Sequence, residues 1–315
     1  MNFQRYFHFK KYRVNLTKSS KRRAQAMRGI LLLIALVFLI IAAHSEQHAP
    51  AHAAGTQQVS DIEDLWMDLR IGEPLIELFN DAARGDDIAR VDHPSQFDQL
   101  AGISAGRKMV IFKSVAETAE LLPEMAADID VIGYNLEHGP ATPAEEQADP
   151  VGSIQAMREL ADEYGLLLAF GPDHDFALSH GVEVAPHVDI FVLQIQRQQT
   201  NPDVVKEFVE PIVPQLRAEN PDLQISVQVR TEGDIQALVD LVAGLEVELD
   251  GISILTRPDK VEEAEELVYT LRPEAAPPGF GTYTIYVVLV VAGVTVVTGW
   301  IVVRRRGEKT AETQG

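Results

Sequence analysis

Six short, strongly apolar segments recur between residues 108 and 256, and stretches with helix-like spacing of apolar residues separate most of them. Continuous apolar strands that alternate with helices are typical of a parallel sheet covered by helices. The pattern therefore predicts an α/β fold with polar residues gathered where the strands end. The segments are residues 109–113, 129–137, 166–173, 188–196, 223–230 and 252–256.

Right-handed crossovers between successive strands favour a (β/α) TIM-like barrel, either complete with eight strands or incomplete. A doubly wound sheet is the alternative, but no Gly-x-Gly-x-x-Gly follows a segment, which disfavours a dinucleotide-binding domain. Residues 61–90 are predicted to be helical, and residues 182–184 are a weak strand candidate. Pro211 and Pro214 are expected to kink or divide a helix over residues 204–219.

Both ends of the chain carry features typical of membrane targeting. Residues 1–53 are basic and then apolar, which predicts a cytoplasmic segment and a signal peptide, or an uncleaved anchor. Residues 284–303 are uncharged and precede three arginines, so a transmembrane helix and a cytoplasmic basic tail at 304–315 are expected. The protein is thus predicted at the cell membrane, single-pass or two-pass, with its main domain extracellular.

The part between these ends is predicted to comprise a helical segment at 54–107, a barrel-like core at 108–271 and a Pro/Gly linker at 272–283. Residues 54–283 hold 44 acidic and 14 basic residues, and the chain has no cysteine. Such a surface repels nucleic acid, which is excluded as a partner. Disulfides and metal sites built from thiolates are excluded as well.

Two carboxylates at predicted strand ends are the candidate catalytic residues. Glu137 is expected to be the acid/base, and Asp173 its partner carboxylate. Alternatively, Glu137 pairs with a nearby base and Asp173 serves a turn. Together with His138 and His174 they offer metal ligands, but their spacing matches no known motif. No metal or other cofactor is therefore predicted.

Polar residues at the same strand ends are predicted to bind a ligand. Amides and carboxylates suit a carbohydrate or another hydroxylated small molecule, and scarce cations could bind an anionic group or neutralise the two carboxylates. Because alternate strand residues face away from a barrel axis, only some of these side chains can line the mouth. The candidates are Lys113, Tyr134, Asn135, His138, His174, Gln194, Gln196, Gln228, Arg230, Thr256 and Arg257.

The strand and helix alternation, with Glu137 and Asp173 at strand ends, resembles the glycoside-hydrolase-like TIM barrels of exported bacterial and archaeal proteins. Residues 134–150 are similar to exported barrels of uncharacterised function with a comparable order of Glu-His, Thr-Pro, Glu-Gln and Pro. The sequence Pro-Gly-Phe-Gly at 278–281, ahead of the apolar span, resembles an archaeal PGF-type sorting signal.

Together with the features of the two chain ends, this resemblance predicts a membrane-anchored barrel that binds a carbohydrate and acts, or formerly acted, on it as a hydrolase. A non-catalytic surface protein that binds its ligand at the same mouth is the alternative. Metal-dependent hydrolysis is a third hypothesis.

Overall fold

The computed structural model describes residues 62–257 and 259–277, which form a closed barrel of eight parallel strands surrounded by helices. Each strand pairs with the next along the chain, and β8 closes the barrel by pairing with β1. The strands are β1 (Trp66–Arg70), β2 (Ile88–Val91), β3 (Arg107–Phe112), β4 (Val131–Tyr134), β5 (Leu167–Phe170), β6 (Ile190–Gln194), β7 (Gln224–Arg230) and β8 (Gly251–Leu255).

Helices follow the strands along the chain, as in other (β/α) barrels. The α-helices are α1 (Ile76–Ala82), α2 (Val115–Met125), α3 (Ala144–Ala148), α4 (Pro150–Tyr164), α5 (His174–Val184), α6 (Pro202–Glu219), α7 (Ile235–Ala243) and α8 (Val261–Leu271). A 3-10 helix, Pro94–Gly102, connects β2 to β3. Shorter 3-10 helices lie at Ile62–Asp64, Glu73–Leu75, Ala126–Asp128, Ala185–His187 and Pro273–Ala275.

The two faces of each strand have different environments because side chains alternate along a strand. The outer face packs against the helices and is mostly apolar. The inner face fills much of the barrel with a separate apolar cluster, beside which the polar side chains of Asp68, Arg90, Ser226 and Ser253 are also buried. Further polar inner side chains lie at the carboxyl ends of the strands. The inner cluster comprises Trp66, Ile88, Met109, Ile111, Val131, Ala169, Ile190 and Val192.

Close packing inside the barrel requires glycine at the start of β8. Gly251 lies beside Trp66 in the register of β1 and β8, and a Cβ atom on Gly251 would overlap the indole ring. Replacing Gly251 with alanine is therefore expected to lower the free energy of unfolding by about 1–3 kcal/mol, measured by urea denaturation. Gly85→Ala is the control because open space surrounds that position. Equal losses in both variants would contradict this account of the packing.

The closed barrel confirms the predicted fold class, and its eight strands decide for the complete form. The six apolar segments are β3 to β8. The helix predicted over residues 61–90 is wrong for most of its length, since β1 and β2 lie there and only Ile76–Ala82 is α-helical. The barrel therefore begins at Trp66, inside the stretch predicted as a helical segment before the core.

Residues 182–184 belong to α5, so the weak strand candidate is wrong and the segment is helical. Of the two effects expected from Pro211 and Pro214, division of the helix is wrong, because α6 runs without interruption from Pro202 to Glu219, while a kink stays a prediction. The Pro211 carbonyl accepts a hydrogen bond from the Gln215 side chain at 2.6 Å, which satisfies it within the helix.

A buried ion pair joins the two ends of the described chain at the amino-terminal rim of the barrel. Arg272 Nη2 lies 2.6 Å from Asp87 Oδ1, and both side chains are fully buried. Asp87 also accepts hydrogen bonds from the backbone N–H of Met67 at 2.6 Å and of Arg84 at 2.7 Å. Arg272 donates to the Leu65 carbonyl at 2.9 Å. These contacts fix the segment after α8 against β1 and the loop before β2.

None of the helices in residues 62–257 and 259–277 is long and apolar enough to cross a membrane. The predicted signal or anchor at 1–53, the span at 284–303, the tail at 304–315 and the Pro-Gly-Phe-Gly motif all lie outside the described residues.

Candidate functional site

The carboxyl ends of the eight strands form one mouth of the barrel, where sites of (β/α) barrels are found. Strand alternation directs the side chains at the inner positions of this rim toward the barrel axis. The inner residues at or beside these ends are Arg70, Asp92, Lys113, Asn135, Gln194, Gln228 and Arg230. Lys113, Asn135, Gln194, Gln228 and Arg230 were predicted from the sequence. Arg70 and Asp92 were not.

Glu137 and Lys113 form an ion pair at this mouth. The Lys113 ammonium lies 3.8 Å from Glu137 Oε1, and the Glu137 side chain is 37% exposed. The backbone N–H of Glu137 donates to the Thr142 hydroxyl at 3.3 Å, which fixes the loop after β4. Glu137 therefore does pair with a nearby base, which was one of the two interpretations of this residue. The carboxylate also remains accessible to a ligand, and its catalytic role stays a prediction.

Asp173 is held by hydrogen bonds on both carboxylate oxygens. Oδ1 accepts the Phe176 N–H at 3.1 Å and so caps α5, while Oδ2 accepts the His138 N–H at 2.9 Å. Burial raises the pKa of Asp173, but these hydrogen bonds outweigh burial and leave the pKa below its ordinary value. The His138 ring is hydrogen-bonded to Oδ2 at 2.7 Å and stacks on Phe176 with a centroid distance of 4.1 Å. Asp173 thus stays ionised and orients His138 at the rim.

Amide side chains line another part of the mouth. Gln194 donates to the Gly171 carbonyl at 2.9 Å, and Gln196 donates to Gln194 Oε1 at 2.9 Å. The buried Oε1 atom of Gln196 has no hydrogen-bond partner within the described residues. Below them, Asn135 and Gln228 line a cavity of about 10 Å³, enough for roughly one water molecule. These groups can donate to hydroxyl groups or accept from them.

Arg230 ends β7 on the same inner face as Gln228. Its guanidinium has no ion pair or hydrogen bond to any residue in the part of the chain that the structure describes, although acidic residues predominate there. Its backbone N–H donates to Gln199 Oε1 at 2.8 Å, which fixes the end of the strand. A half-buried cation at the mouth is thus available to a ligand.

Four charged residues that the sequence analysis missed form a chain from the barrel interior to the mouth. Arg90 Nε lies 2.9 Å from Asp68, and Arg90 Nη1 lies 2.6 Å from Asp92. Asp92 in turn lies 2.7 Å from Arg70 Nε. Burial raises the pKa of Asp68, which the nearby Arg90 charge offsets only in part. Burial lowers the pKa of Arg90, but the charges of Asp68 and Asp92 outweigh it and leave the pKa raised.

The sequence contained one signal for this charge chain. Met67, Leu69 and Ile71 alternate with Trp66, Asp68 and Arg70, which is the period of a strand with two different faces. The helical interpretation of residues 61–90 concealed that alternation, and with it the inner charges.

The remaining predicted ligand residues do not gather at one place. Tyr134 is fully buried on the outer face of β4 and donates to Glu146 at 2.6 Å, so it does not line the mouth. His174 begins α5, with its ring 4.3 Å from that of Phe208. Thr256 and Arg257 follow β8 and line a separate pocket beside the mouth. Within residues 62–257 and 259–277, no group of three or more His, Cys, Asp or Glu residues could hold a metal ion.

Neither a family model nor a curated protein sequence matches the chain. Among solved structures, the chain is similar to a 3-keto-L-gulonate-6-phosphate decarboxylase from Vibrio cholerae, with 12% identity over 67% of this chain and 97% of that one and a TM-score of 0.43. It is also similar to a glycoside hydrolase family 17 β-1,3-glucanosyltransferase from Rhizomucor miehei, with 12% identity, 53% and 71% coverage and a TM-score of 0.39.

A third similar structure is a truncated 3-deoxy-D-arabino-heptulosonate 7-phosphate synthase from Thermotoga maritima, with 15% identity over 46% of this chain and a TM-score of 0.30. The chain spans about half, 49%, of the length of that synthase. The fold is a TIM barrel. That assignment rests on the eight closed parallel strands, and likenesses this distant assign no activity.

Proposed function

We propose that the mouth of the barrel binds a small hydroxylated molecule of the carbohydrate class and that Glu137 acts on it as an acid/base. The observation that supports this most is the accessible Glu137 carboxylate beside Lys113, at the strand ends where active sites of such barrels lie. Gln194, Gln196 and Arg230 provide further donors and acceptors at the same rim.

In the proposed reaction, Glu137 takes up a proton from solvent, which ends its ion pair with Lys113, and gives that proton to the glycosidic oxygen as the bond from that oxygen to the anomeric carbon breaks. Water attacks the anomeric carbon, and its proton passes to Asp173 as the partner carboxylate. The lowered pKa of Asp173 keeps that carboxylate ionised, as this role requires. His138, hydrogen-bonded to Asp173, would be a positioning residue.

The Glu137→Gln variant tests the proposed reaction. We expect its turnover of oligosaccharides to fall by about 10²–10⁴-fold, because glutamine cannot transfer the proton, while ligand affinity is retained. Release of reducing ends and calorimetric binding by the purified chain measure the two effects. Glu145→Gln is the matched control, because Glu145 is exposed in the first turn of α3. A wild-type chain that cleaves no oligosaccharide, or a Glu137→Gln variant of unchanged rate, would contradict the catalytic role.

A non-catalytic binding protein is the second candidate, and the state of the other carboxylates favours it. Both oxygens of Asp173 accept hydrogen bonds, and Asp92 is shared between Arg70 and Arg90. Neither is as free as Glu137 to act on a substrate. Saturable binding of an oligosaccharide by a wild-type chain that does not cleave it is the result expected for this candidate.

We also propose that the barrel is extracellular and anchored through residues 284–303, on the sequence pattern of the two chain ends. Protease added to intact cells should then digest the barrel, whereas protection of the barrel until the cells are lysed would count against this location.

A further inference from the structure

A pocket of about 210 Å³ lies beside the mouth and shares Arg70 with its rim. It is formed by the loops after β1 and β8 together with the 3-10 helix Pro94–Gly102. Its volume is below the roughly 300–1,000 Å³ of sites for drug-sized ligands, so it suits a molecule the size of one sugar unit. The residues that line it include Arg70, Glu73, Gln99, Arg257 and Val261.

Two of the 14 basic residues between positions 54 and 283 line this pocket. Arg70 is held in place by Asp92 at 2.7 Å and by the Thr256 carbonyl, to which its Nη1 donates at 2.9 Å. Its other terminal nitrogen, Nη2, has no partner within residues 62–257 and 259–277. A guanidinium fixed in this way can donate from Nη2 to one oxygen of a carboxylate or a phosphate without first losing side-chain freedom.

Arg257 is the second cation of the pocket and is more exposed than Arg70. Its Nε lies 3.2 Å from Asp259, and its side chain is 63% exposed, so its terminal nitrogens can turn toward a bound anion. Glu73 also lines the pocket but is exposed, and water therefore screens its charge. Val261 begins α8, and the residue before it, Lys260, makes no side-chain capping bond to the first turn.

Gln99 gives an independent indication of a ligand. Its Oε1 atom is buried and has no hydrogen-bond partner within the described residues. Buried acceptors nearly always have a donor, either from protein or from a bound molecule. Because this oxygen is buried, a hydroxyl group in the pocket becomes its donor once the Gln99 amide turns toward the pocket that it lines.

We propose that this pocket binds a small organic anion that also carries hydroxyl groups. Its carboxylate or phosphate contacts Arg70 and Arg257, and one hydroxyl donates to Gln99. Sugar acids and sugar phosphates share this chemistry. The proposal requires neither Glu137 nor catalysis at the mouth, so its failure would leave the proposed function untouched.

Binding of glucuronate, glucose 6-phosphate and glucose to the purified full-length chain tests the pocket by calorimetry. We expect at least one of the two anions to bind saturably and more weakly as salt is added, and neutral glucose to bind at least about tenfold more weakly. The comparison of the two anions shows whether the charged group is a carboxylate or a phosphate.

Three variants locate the binding. Arg257→Gln and Gln99→Leu should each weaken the anion about tenfold, since each loses one hydrogen-bonding group of the pocket. Arg107→Gln removes the same charge at the opposite end of the barrel and should leave affinity unchanged. Arg257 is exposed, so its variant should fold normally. Absence of binding by both anions, equal binding of glucose, or an affinity unaffected by Arg257→Gln would overturn the proposal.

Discussion

Replacing Arg272 with methionine is expected to lower the free energy of unfolding by about 3–5 kcal/mol, one of the two largest effects that the structure predicts. The substitution leaves the Asp87 carboxylate fully buried without its counter-charge. It also removes the donor to the Leu65 carbonyl and so loosens the junction of the two chain ends.

A double substitution distinguishes the effect of the buried Asp87 charge on stability from the effect of the hydrogen bonds that Asp87 accepts. Asp87 accepts the N–H groups of Met67 and Arg84 besides binding Arg272, so an apolar residue at position 87 would leave these donors without a partner. Arg272→Met combined with Asp87→Asn should therefore recover only part of the lost stability, because asparagine removes the buried charge and accepts one of the two N–H groups, while its NH2 group replaces the acceptor of the other.

Urea denaturation of the purified chain measures both Arg272 effects. Arg84→Gln is the control, because it breaks an ion pair with Glu274 whose side chains are 39% and 58% exposed, and exposed pairs contribute at most about 1 kcal/mol. A loss in Arg272→Met no greater than that of Arg84→Gln would show that the buried pair does not hold the barrel base together.

Replacing Arg90 with methionine is expected to cost a similar amount, about 3–5 kcal/mol at neutral pH. Asp68, which is 2% exposed inside the barrel, would lose its counter-charge, and Asp92 would retain only Arg70. Unlike Asp87, Asp68 accepts no backbone N–H among the described residues. Arg90→Met combined with Asp68→Leu should therefore recover most of the stability, since an apolar pair can replace a buried ion pair.

The loss in Arg90→Met should also depend on pH. Burial already raises the pKa of Asp68 in the folded state, so its ionisation costs stability as pH rises above the ordinary value of 3.8. Removal of the Arg90 charge raises the pKa of Asp68 further, so the loss of stability on its ionisation continues to higher pH. The difference in unfolding free energy between wild type and variant should thus be smaller at about pH 5 than at about pH 8. A difference that does not vary with pH would contradict the assignment of this cost to Asp68.

The sequence was informative where a strand is apolar on both faces. Residues 109–112 and 190–193 are continuous apolar runs because helices cover one side and the filled barrel interior the other. β1 does not have this signature, because Asp68 and Arg70 interrupt its apolar residues on the inner face. Trp66 and Leu69 of this strand, with Leu65 just before it, also suit the spacing of a helix. The spacing of apolar residues alone therefore favoured the wrong structure.

At the candidate site, sequence position alone predicts which residues lie at strand ends. The register of the strand is also needed to predict which of these side chains face the barrel axis. The sequence placed Lys113 and Glu137 at strand ends, and the structure brings them together. It could not distinguish Tyr134 from Asn135, because adjacent strand residues face opposite sides and a shift of one position exchanges them. Capping signals indicated that Asp173 could serve a turn, and it does cap α5. The pocket at Arg70 is formed by three segments that are distant in sequence, and no local pattern predicts that they lie side by side.

The pairing of Arg272 with Asp87 also determines how the barrel is presented to its surroundings. The residues that precede β1 and those that follow α8 meet at the amino-terminal rim, through the contacts of Arg272 with Leu65 and Asp87. Both ends of the described residues therefore lie at the base of the barrel, and the mouth points the other way. A barrel tethered to a surface by this base would hold Glu137 and the neighbouring pocket open to molecules arriving from the surrounding medium.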